Sequence, residues 1–332
     1  LYRLVAGVSM STNTNEPVLI SKCDYFSVFR VSGADARTFL QSQLTQDVQT
    51  VTAQQAALAG FCTAQGRLWA SMLLVQDNDP DSLLAVIRSD LSESFLKRIR
   101  MFVLRSKVTF EPQLNWRVAG VQAADSINGA PLTQPSLQAA WQSGAREACQ
   151  WVRLPSAQAG LARYLVLGPD ELVEHIEQAL GVPTQVLEEP SSWQRQDMLA
   201  GIGWIQARTQ DLFIPQTLNL DLVGAVSFTK GCFPGQEVVA RAHYRGTVKR
   251  RMHLATAPEA AGQSLEPGMD VFVDNEPDNP VGRIIDVVSQ NQQATLLFEA
   301  PFKQIESHVL RVGSATGPEL VPGELPYKLQ AA

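Results

Sequence analysis

The sequence is poor in the residues that build covalent or metal frameworks. It has four cysteines, Cys23, Cys62, Cys149 and Cys232, with no C-x-x-C pair among them. This excludes a disulfide scaffold and a zinc or cluster cage supplied by the chain alone, and points to a reducing, cytoplasmic setting. The four histidines, His175, His243, His253 and His308, stand at no metal-ligand spacing, so core and surface roles are the default. No apolar run reaches the length of a membrane-spanning helix. Leu1 to Met10 has neither that length nor a leader-cleavage pattern, so no membrane partner is expected. Met10 reads as a candidate start and Leu1 to Ser9 as an extension ahead of it. The G-x-x-x-x-G-K-[ST], H-E-x-x-H and G-x-S-x-G patterns are missing, as is G-x-G-x-x-G after a strand. Nucleotide hydrolysis, zinc proteolysis and esterase chemistry therefore have no support. Positive charge is also lacking overall: a net −6 gives no global attraction for nucleic acid, and any such contact needs a local basic patch.

What is present is an ordinary globular composition, with 45% apolar and 18% charged residues over 332 positions. Phe26 to Val31 has strand composition, and Ser32-Gly-Ala-Asp35 resembles a capping-box start for a helix carrying Phe39, Leu40 and Leu44. Leu68 to Val75 and Leu83 to Ile87 read as a hairpin around a turn-rich Asp77 to Asp81. Ser92 to Val103 places Phe95, Ile99 and Phe102 on one helical face, and Lys107 to Glu111 returns to alternation. The order strand, helix, strands, helix, strand is that of a split βαβ, ferredoxin-like unit. A second mixed segment runs from Trp116 to Gly181, with a loop at Gly129 to Ser136, a strand at Arg163 to Leu167 and a helix opening at Pro169-Asp170. Pro190-Ser-Ser192 offers a cap for a helix carrying Trp193. From Met252 to Val312, short Val, Ile, Leu and Phe runs broken by Pro and Gly predict a small all-β barrel or sandwich without a helix. The divisions expected are a flexible tail over 1–20, an α+β body over 21–251 and a β module over 252–332. The body divides near 115 and 185.

The chemistry concentrates in Lys230-Gly-Cys232-Phe-Pro-Gly235-Gln-Glu237. A short strand, Ala225 to Phe228, is expected to end in a glycine-flanked turn, with a helix beginning near Gly235. Cys232 then stands beside Lys230, just ahead of a helix N-terminus, and both features favour a thiolate. A lone cysteine is more often a small filler of a tight turn. Two glycines and a lysine around it fit close approach of backbone to a ligand and favour a functional thiol. The following Arg241, His243, Arg245, Lys249, Arg250 and Arg251 have no acid between Glu237 and Glu259. This run suits an anionic ligand tail, RNA phosphate or an acidic partner, or else a solvated helix face.

Lys230-Gly-Cys-Phe-Pro-Gly-Gln-Glu237 with Val239-Ala-Arg241 resembles the K-G-C-[YF]-x-G-Q-E signature of the YgfZ family. Supporting matches include Val31-Ser-Gly33-Ala-Asp35, Leu44-Thr-Gln-Asp47, Gly66-Arg67, Phe213-Ile-Pro-Gln216, Asn219-Leu220 and Leu325-Pro-Tyr327; Trp116 to Gly181 matches least. The resemblance implies a fold similar to the glycine-cleavage T protein: α+β, two ferredoxin-like units and a C-terminal small β-barrel around a folate channel. It implies tetrahydrofolate or a derivative as cofactor, and support of iron–sulfur cluster assembly and tRNA modification. Iron–sulfur clients such as tRNA-thiolating enzymes are the implied partners. Lys230, Gly231, Cys232, Gly235, Gln236 and Glu237 carry the signature, and Trp193 and Phe26 map onto aromatic positions of the folate channel. Where the T protein has adjacent acids this chain has Ala70 and Ser71, and a second acidic contact falls on Leu199. Aminomethyltransferase activity is therefore not expected. One-carbon transfer and a direct tRNA-binding module remain the alternatives.

Overall fold

The computed structural model describes residues 17–124, 139–146, 148–244, 248–258, 264–274 and 276–329. The loop expected at Gly129 to Ser136, Arg245, and the tail up to Glu16 lie outside them. In chain order the first elements are β1 (Val18–Lys22), β2 (Phe26–Ser32), α1 (Ala36–Gln43), β3 (Ala57–Cys62), β4 (Leu68–Gln76), β5 (Leu83–Arg88), α2 (Ser92–Arg100) and β6 (Thr109–Pro112). Next come β7 (Trp116–Ala124), β8 (Ser143–Arg146), β9 (Cys149–Leu154), β10 (Leu161–Pro169), α3 (Leu172–Leu180) and β11 (Thr184–Leu187). Helices α4 (Pro190–Leu199) and α5 (Gln236–Tyr244) flank a long irregular segment. The chain ends in β12 (Arg250–Pro258), β13 (Asp270–Val273), β14 (Gly282–Gln290), β15 (Gln293–Pro301), α6 (Phe302–Ser307), β16 (Leu310–Val312) and β17 (Val321–Gly323).

The described residues form three sheets. The first has strand order β3-β4-β5-β2-β6, with the expected hairpin as β4 and β5. All residues of β3 and β5 are buried, which requires cover on both faces. On one face, Phe95 of α2 meets Phe29, Phe61 and Phe110, and Phe39 of α1 meets Phe110. On the other, Phe26 packs edge-on against Trp204, and Ser71 Oγ accepts from Ile205 N at 2.9 Å. The second sheet runs β11-β1-β7-β10-β9-β8. Its β1 opens at Val18, inside the stretch expected to be a loose tail, because Val18 and Ile20 fill the apolar core beneath α3. β1 thus joins the second sheet rather than the first unit that follows it.

The third sheet, β16-β13-β14-β15-β12-β17, curls on itself. The backbone bond Leu320 N to Leu310 O at 2.8 Å and the bridge between Arg311 and Glu319 bring its two ends together, giving the expected small barrel. It contains a helix that the sequence reading did not anticipate, α6, a single turn and a half after β15 with no fully buried residue, Ile305 alone packing on the barrel core. Too little apolar periodicity marks so short a helix.

Two other details differ from expectation. Asp35 sits at the N-cap of α1 but makes no cap bond; its carboxylate accepts from Lys107 N at 2.7 Å and holds the β6 approach instead. Ser191 and Ser192 lie inside the first turn of α4, whose start is set by Pro190 at the first helical positions.

Candidate functional site

The signature segment packs as a pinned turn. No strand forms at Ala225 to Phe228; instead Thr45 takes up its backbone, with Thr45 Oγ1 donating to Ala225 O at 2.7 Å and Ser227 N to Thr45 O at 2.9 Å. Lys230 Nζ donates to Gln41 O and Leu44 O, both at 2.5 Å, and so caps the C-terminus of α1, where unpaired carbonyls and the helix dipole favour a cation. Its ammonium also lies 5.2 Å from the Phe233 ring. Burial lowers the Lys230 pKa to about 8, with Asp47 and Cys232 pulling the other way.

Gly235 has φ +79°, and a Cβ there would lie 2.4 Å from Gly66 Cα. Gly66, at φ +75°, faces it in the β3–β4 turn, with Val238 Cβ 2.8 Å from its own would-be Cβ. The close approach that the glycine implied is therefore to another backbone turn, not to a ligand; both positions need glycine for the same contact. Gly231 has open space around it. Between the two anchors, Lys230 and Gly235, Cys232 is exposed, whereas Cys23, Cys62 and Cys149 are buried. Burial pushes the Cys62 thiol up to about 12 and that of Cys23 up as well. Helix α5 begins at Gln236, with Gln216 Nε2 donating to Val239 O at 2.6 Å.

The basic run behind the signature is largely neutralised by acids, one on the same helix and two distant in sequence. Glu237 pairs with Arg241 at 2.9 Å on the exposed helix face. Arg250 makes two bonds to Glu299, at 2.6 and 2.8 Å. Arg251 is buried and forked onto Asp221, at 2.6 and 3.0 Å, with Gln216 O at 3.0 Å. Arg251 belongs to a clamp between body and barrel: Asn219 Nδ2 donates to Met252 O at 2.9 Å, and Tyr327 Oη to Gly201 O at 2.8 Å. Of the patch expected from sequence, Arg241, Lys249 and Arg250 are exposed, and Lys249 forms no ion pair among the described residues.

A second polar cluster lies where the three sheets meet, on the side of the first sheet away from α1 and α2. Trp193 is fully buried against Gly120 of β7, where a Cβ would lie 2.1 Å from the indole ring. Arg163 of β10 stacks on the same ring, its guanidinium 4.4 Å from the centroid. Asp197 accepts from Arg163 Nη2 and, at 3.1 Å, from Trp204 Nε1. Trp204 in turn packs on Phe26, with ring centroids 4.8 Å apart. The two aromatic positions singled out from the sequence are thus joined through Asp197.

Asp286 of β14 completes the cluster. A bulge between Ile284 and Asp286 re-aims the strand, and the buried carboxylate accepts from Gln194 at 2.7 Å and Gln206 at 2.6 Å. Burial raises its pKa to about 6 and raises that of Asp197, against the pull of Arg163. Arg88, at the end of β5, sits over the Tyr25 ring at 4.6 Å and reaches Gln206 Oε1 at 3.4 Å. Its Nε and Nη1 have no protein partner, nor have Arg163 Nε and Trp193 Nε1. Such buried donors cost on the order of 1 to 3 kcal/mol each unless a water or a ligand supplies the acceptor.

Sequence reasoning missed Arg88, Arg163, Asp197 and Asp286. The available signal was a charge inside an apolar run: Asp286 interrupts Ile284-Ile285 and Val287-Val288, Arg88 closes Leu83 to Ile87, and Asp197 lies two residues before Leu199. At Ala70 and Ser71 no carboxylate is present, and Ser71 is occupied with Ile205 N. Among the described residues no group of three or more acidic, histidine or cysteine side chains is arranged to hold a metal ion, and no helix is long and apolar enough to cross a membrane.

No family model matches the chain. It is 34% identical over 238 residues to the tRNA-modifying protein YgfZ of Edwardsiella ictaluri, covering 71% of this chain and 70% of that one. To the YgfZ proteins of Escherichia coli and Yersinia pestis it is 31% identical over 258 residues and 30% over 257, each covering 75% of this chain and 76% of the relative. Among solved structures, the glycine cleavage system aminomethyltransferase T from Bartonella henselae superposes with a TM-score of 0.68 over 94% of this chain and 87% of that one. Identity to it is 12%, so the likeness is one of fold.

Proposed function

The chain belongs to the YgfZ family, and on that premise we propose that it is a folate-binding accessory protein that supports tRNA modification and the iron–sulfur enzymes serving it. The observation that carries the folate part is the buried three-sheet junction. Arg88 and Trp193 there hold donors without partners, Asp197 and Asp286 offer carboxylates, and Phe26, Trp193 and Trp204 supply aromatic surface. A pterin fits this donor set: it presents carbonyl and ring-nitrogen acceptors, an amino edge for a carboxylate, and a flat face for an indole. Arg88, Trp193, Asp197 and Asp286 are the residues that would hold it. A tetrahydrofolate held there supplies a carrier for one-carbon groups.

The relatives' name as tRNA-modifying proteins supports the second part of the reading, and the exposure of Cys232 supports assigning that part to its thiol. The test is nucleoside analysis of tRNA from a strain lacking the protein. Thiolated nucleosides should return when the chain is supplied, and should fail to return with Cys232→Ser or Arg88→Met. Full restoration by Cys232→Ser removes the thiol from the account. One-carbon transfer of the T-protein kind is supported by fold alone, since the positions of its adjacent acids hold Ala70 and Ser71. Production of methylenetetrahydrofolate from an aminomethyl donor would reinstate it.

A further inference from the structure

The structure shows a second acid-free basic run, Lys97 to Lys107, bounded by Glu93 and Glu111. It spans the end of α2 and the turn into β6. Its fate is the opposite of that of Arg241 to Arg251. Lys97, Arg100, Arg105 and Lys107 are exposed, and among the described residues none of them forms an ion pair. The nearby acids do not pair with these cations: Asp35 holds the Lys107 backbone amide, and among the described residues Glu93 and Glu111 form no ion pair. Arg98 is turned inward onto the Trp69 ring at 4.2 Å. Beside these cations, Met101 is 68% and Leu104 86% exposed, and Phe102 is held from below by Phe61 at 6.2 Å.

We propose that this face, Lys97 to Lys107, is where the protein contacts tRNA, with the four exposed cations on phosphates and Met101 and Leu104 against unstacked bases. The proposal rests on the tRNA reading above. Uncompensated cations on a chain of net −6 suit a polyanion. Three exposed apolar side chains fall short of the hydrophobic centre of a stable protein interface, but they are enough to wedge against bases in a loop or end. The position also suits the signature. Helix α1 is fastened at its start to this face, through Asp35 and Lys107, and at its end to the signature turn, through Lys230 and Leu44 O. Its eight residues span about 12 Å, so this face and the turn that carries exposed Cys232 are fastened to the two ends of one short helix.

The test is fluorescence anisotropy of labelled, unfractionated tRNA titrated with the full chain from about 50 to about 200 mM salt. The intact protein should bind with a steep inverse salt dependence. The triple variant Lys97→Gln, Arg105→Gln, Lys107→Gln should bind about tenfold more weakly at low salt and flatten the log–log salt slope by roughly 2 to 3. Met101→Ser with Leu104→Ser should weaken binding without changing that slope. Arg241→Gln with Lys249→Gln should stay within about twofold of the intact protein. An unchanged slope in the triple variant, or loss of binding in the Arg241 and Lys249 pair, overturns the proposal. No binding by the intact protein overturns it too and leaves the face to an acidic protein. The nucleoside analysis above is unaffected by that result, so the two failures are distinguishable.

Discussion

The three-sheet junction lies against the first sheet on the side away from α1 and α2, whereas the signature turn is fastened to the end of α1 and to the β3–β4 turn, and the two solve opposite problems. The junction buries charge and leaves donors unpaired: Arg88, Arg163, Asp197 and Asp286 are all buried, and three side chains keep an N–H without a protein acceptor. The turn does the reverse. Its lysine is satisfied by carbonyls, its glycine is filled by another glycine, and its cysteine is left in solvent. The first arrangement is what a bound small molecule requires, and the second is what a rigidly presented reactive group requires. The difference implies that the two sites are separable by mutation.

The largest effect is expected at the junction. Trp193→Ala removes a fully buried indole that packs on Gly120 and Arg163 and should cost about 3 to 5 kcal/mol in denaturant unfolding. A loss below about 1 kcal/mol would mean that the junction is not packed as described. Next is Gly235→Ala, which places a Cβ 2.4 Å from Gly66 Cα at φ +79° and should cost on the order of 1 to 3 kcal/mol. Gly231→Ala, with open space, should cost a few tenths at most. Equal effects at the two glycines would remove the turn-on-turn contact from the account.

Asp286→Asn should act in the other direction. The folded carboxyl titrates at about 6, raised from 3.8 by burial, so between those values the folded state holds more proton than the unfolded one. Stability contributed by this group therefore falls as pH rises from 3.8 to about 6, and the ionised form is a burden above it. The asparagine should raise stability above pH 6 by about 1 to 3 kcal/mol and flatten the profile below it, while weakening the ligand. A stability loss at neutral pH would contradict this. The smallest effect is Cys232→Ser, which should shift unfolding by less than about 0.5 kcal/mol. A thiol reagent should label Cys232 in the native protein and reach the other three cysteines only on unfolding. Rapid native labelling of Cys62 would break the contrast.

Most of the fold, and the start of α5 after the glycine turn, were legible because their causes are local, whereas the packing of Gly235 on Gly66 and of Ala225 to Ser227 on Thr45 joins segments far apart in sequence. Alternation in Phe26 to Val31, the Asp77 to Asp81 turn and the helical spacing of Phe95 and Ile99 each predict their own element. The junction was not legible, because Arg88, Arg163, Asp197 and Asp286 come from four distant segments, and only the fold shows that they share one volume. The same reason reversed the reading of the basic runs. Arg250 and Arg251 read as free charge because Glu299 and Asp221 are remote in sequence, whereas Lys97 to Lys107 went unremarked because its lack of partners is visible only in space.

The central claim is that a folate binds at the junction and not at the signature turn. Isothermal titration of the intact protein, Arg88→Met and Cys232→Ser with tetrahydrofolate and 5-formyltetrahydrofolate tests it directly. The account predicts binding to the intact protein, unchanged affinity in Cys232→Ser, and a loss of at least about tenfold in Arg88→Met, whose buried guanidinium would no longer meet its acceptor. Absence of binding to the intact protein, or equal affinity in Arg88→Met, would contradict it.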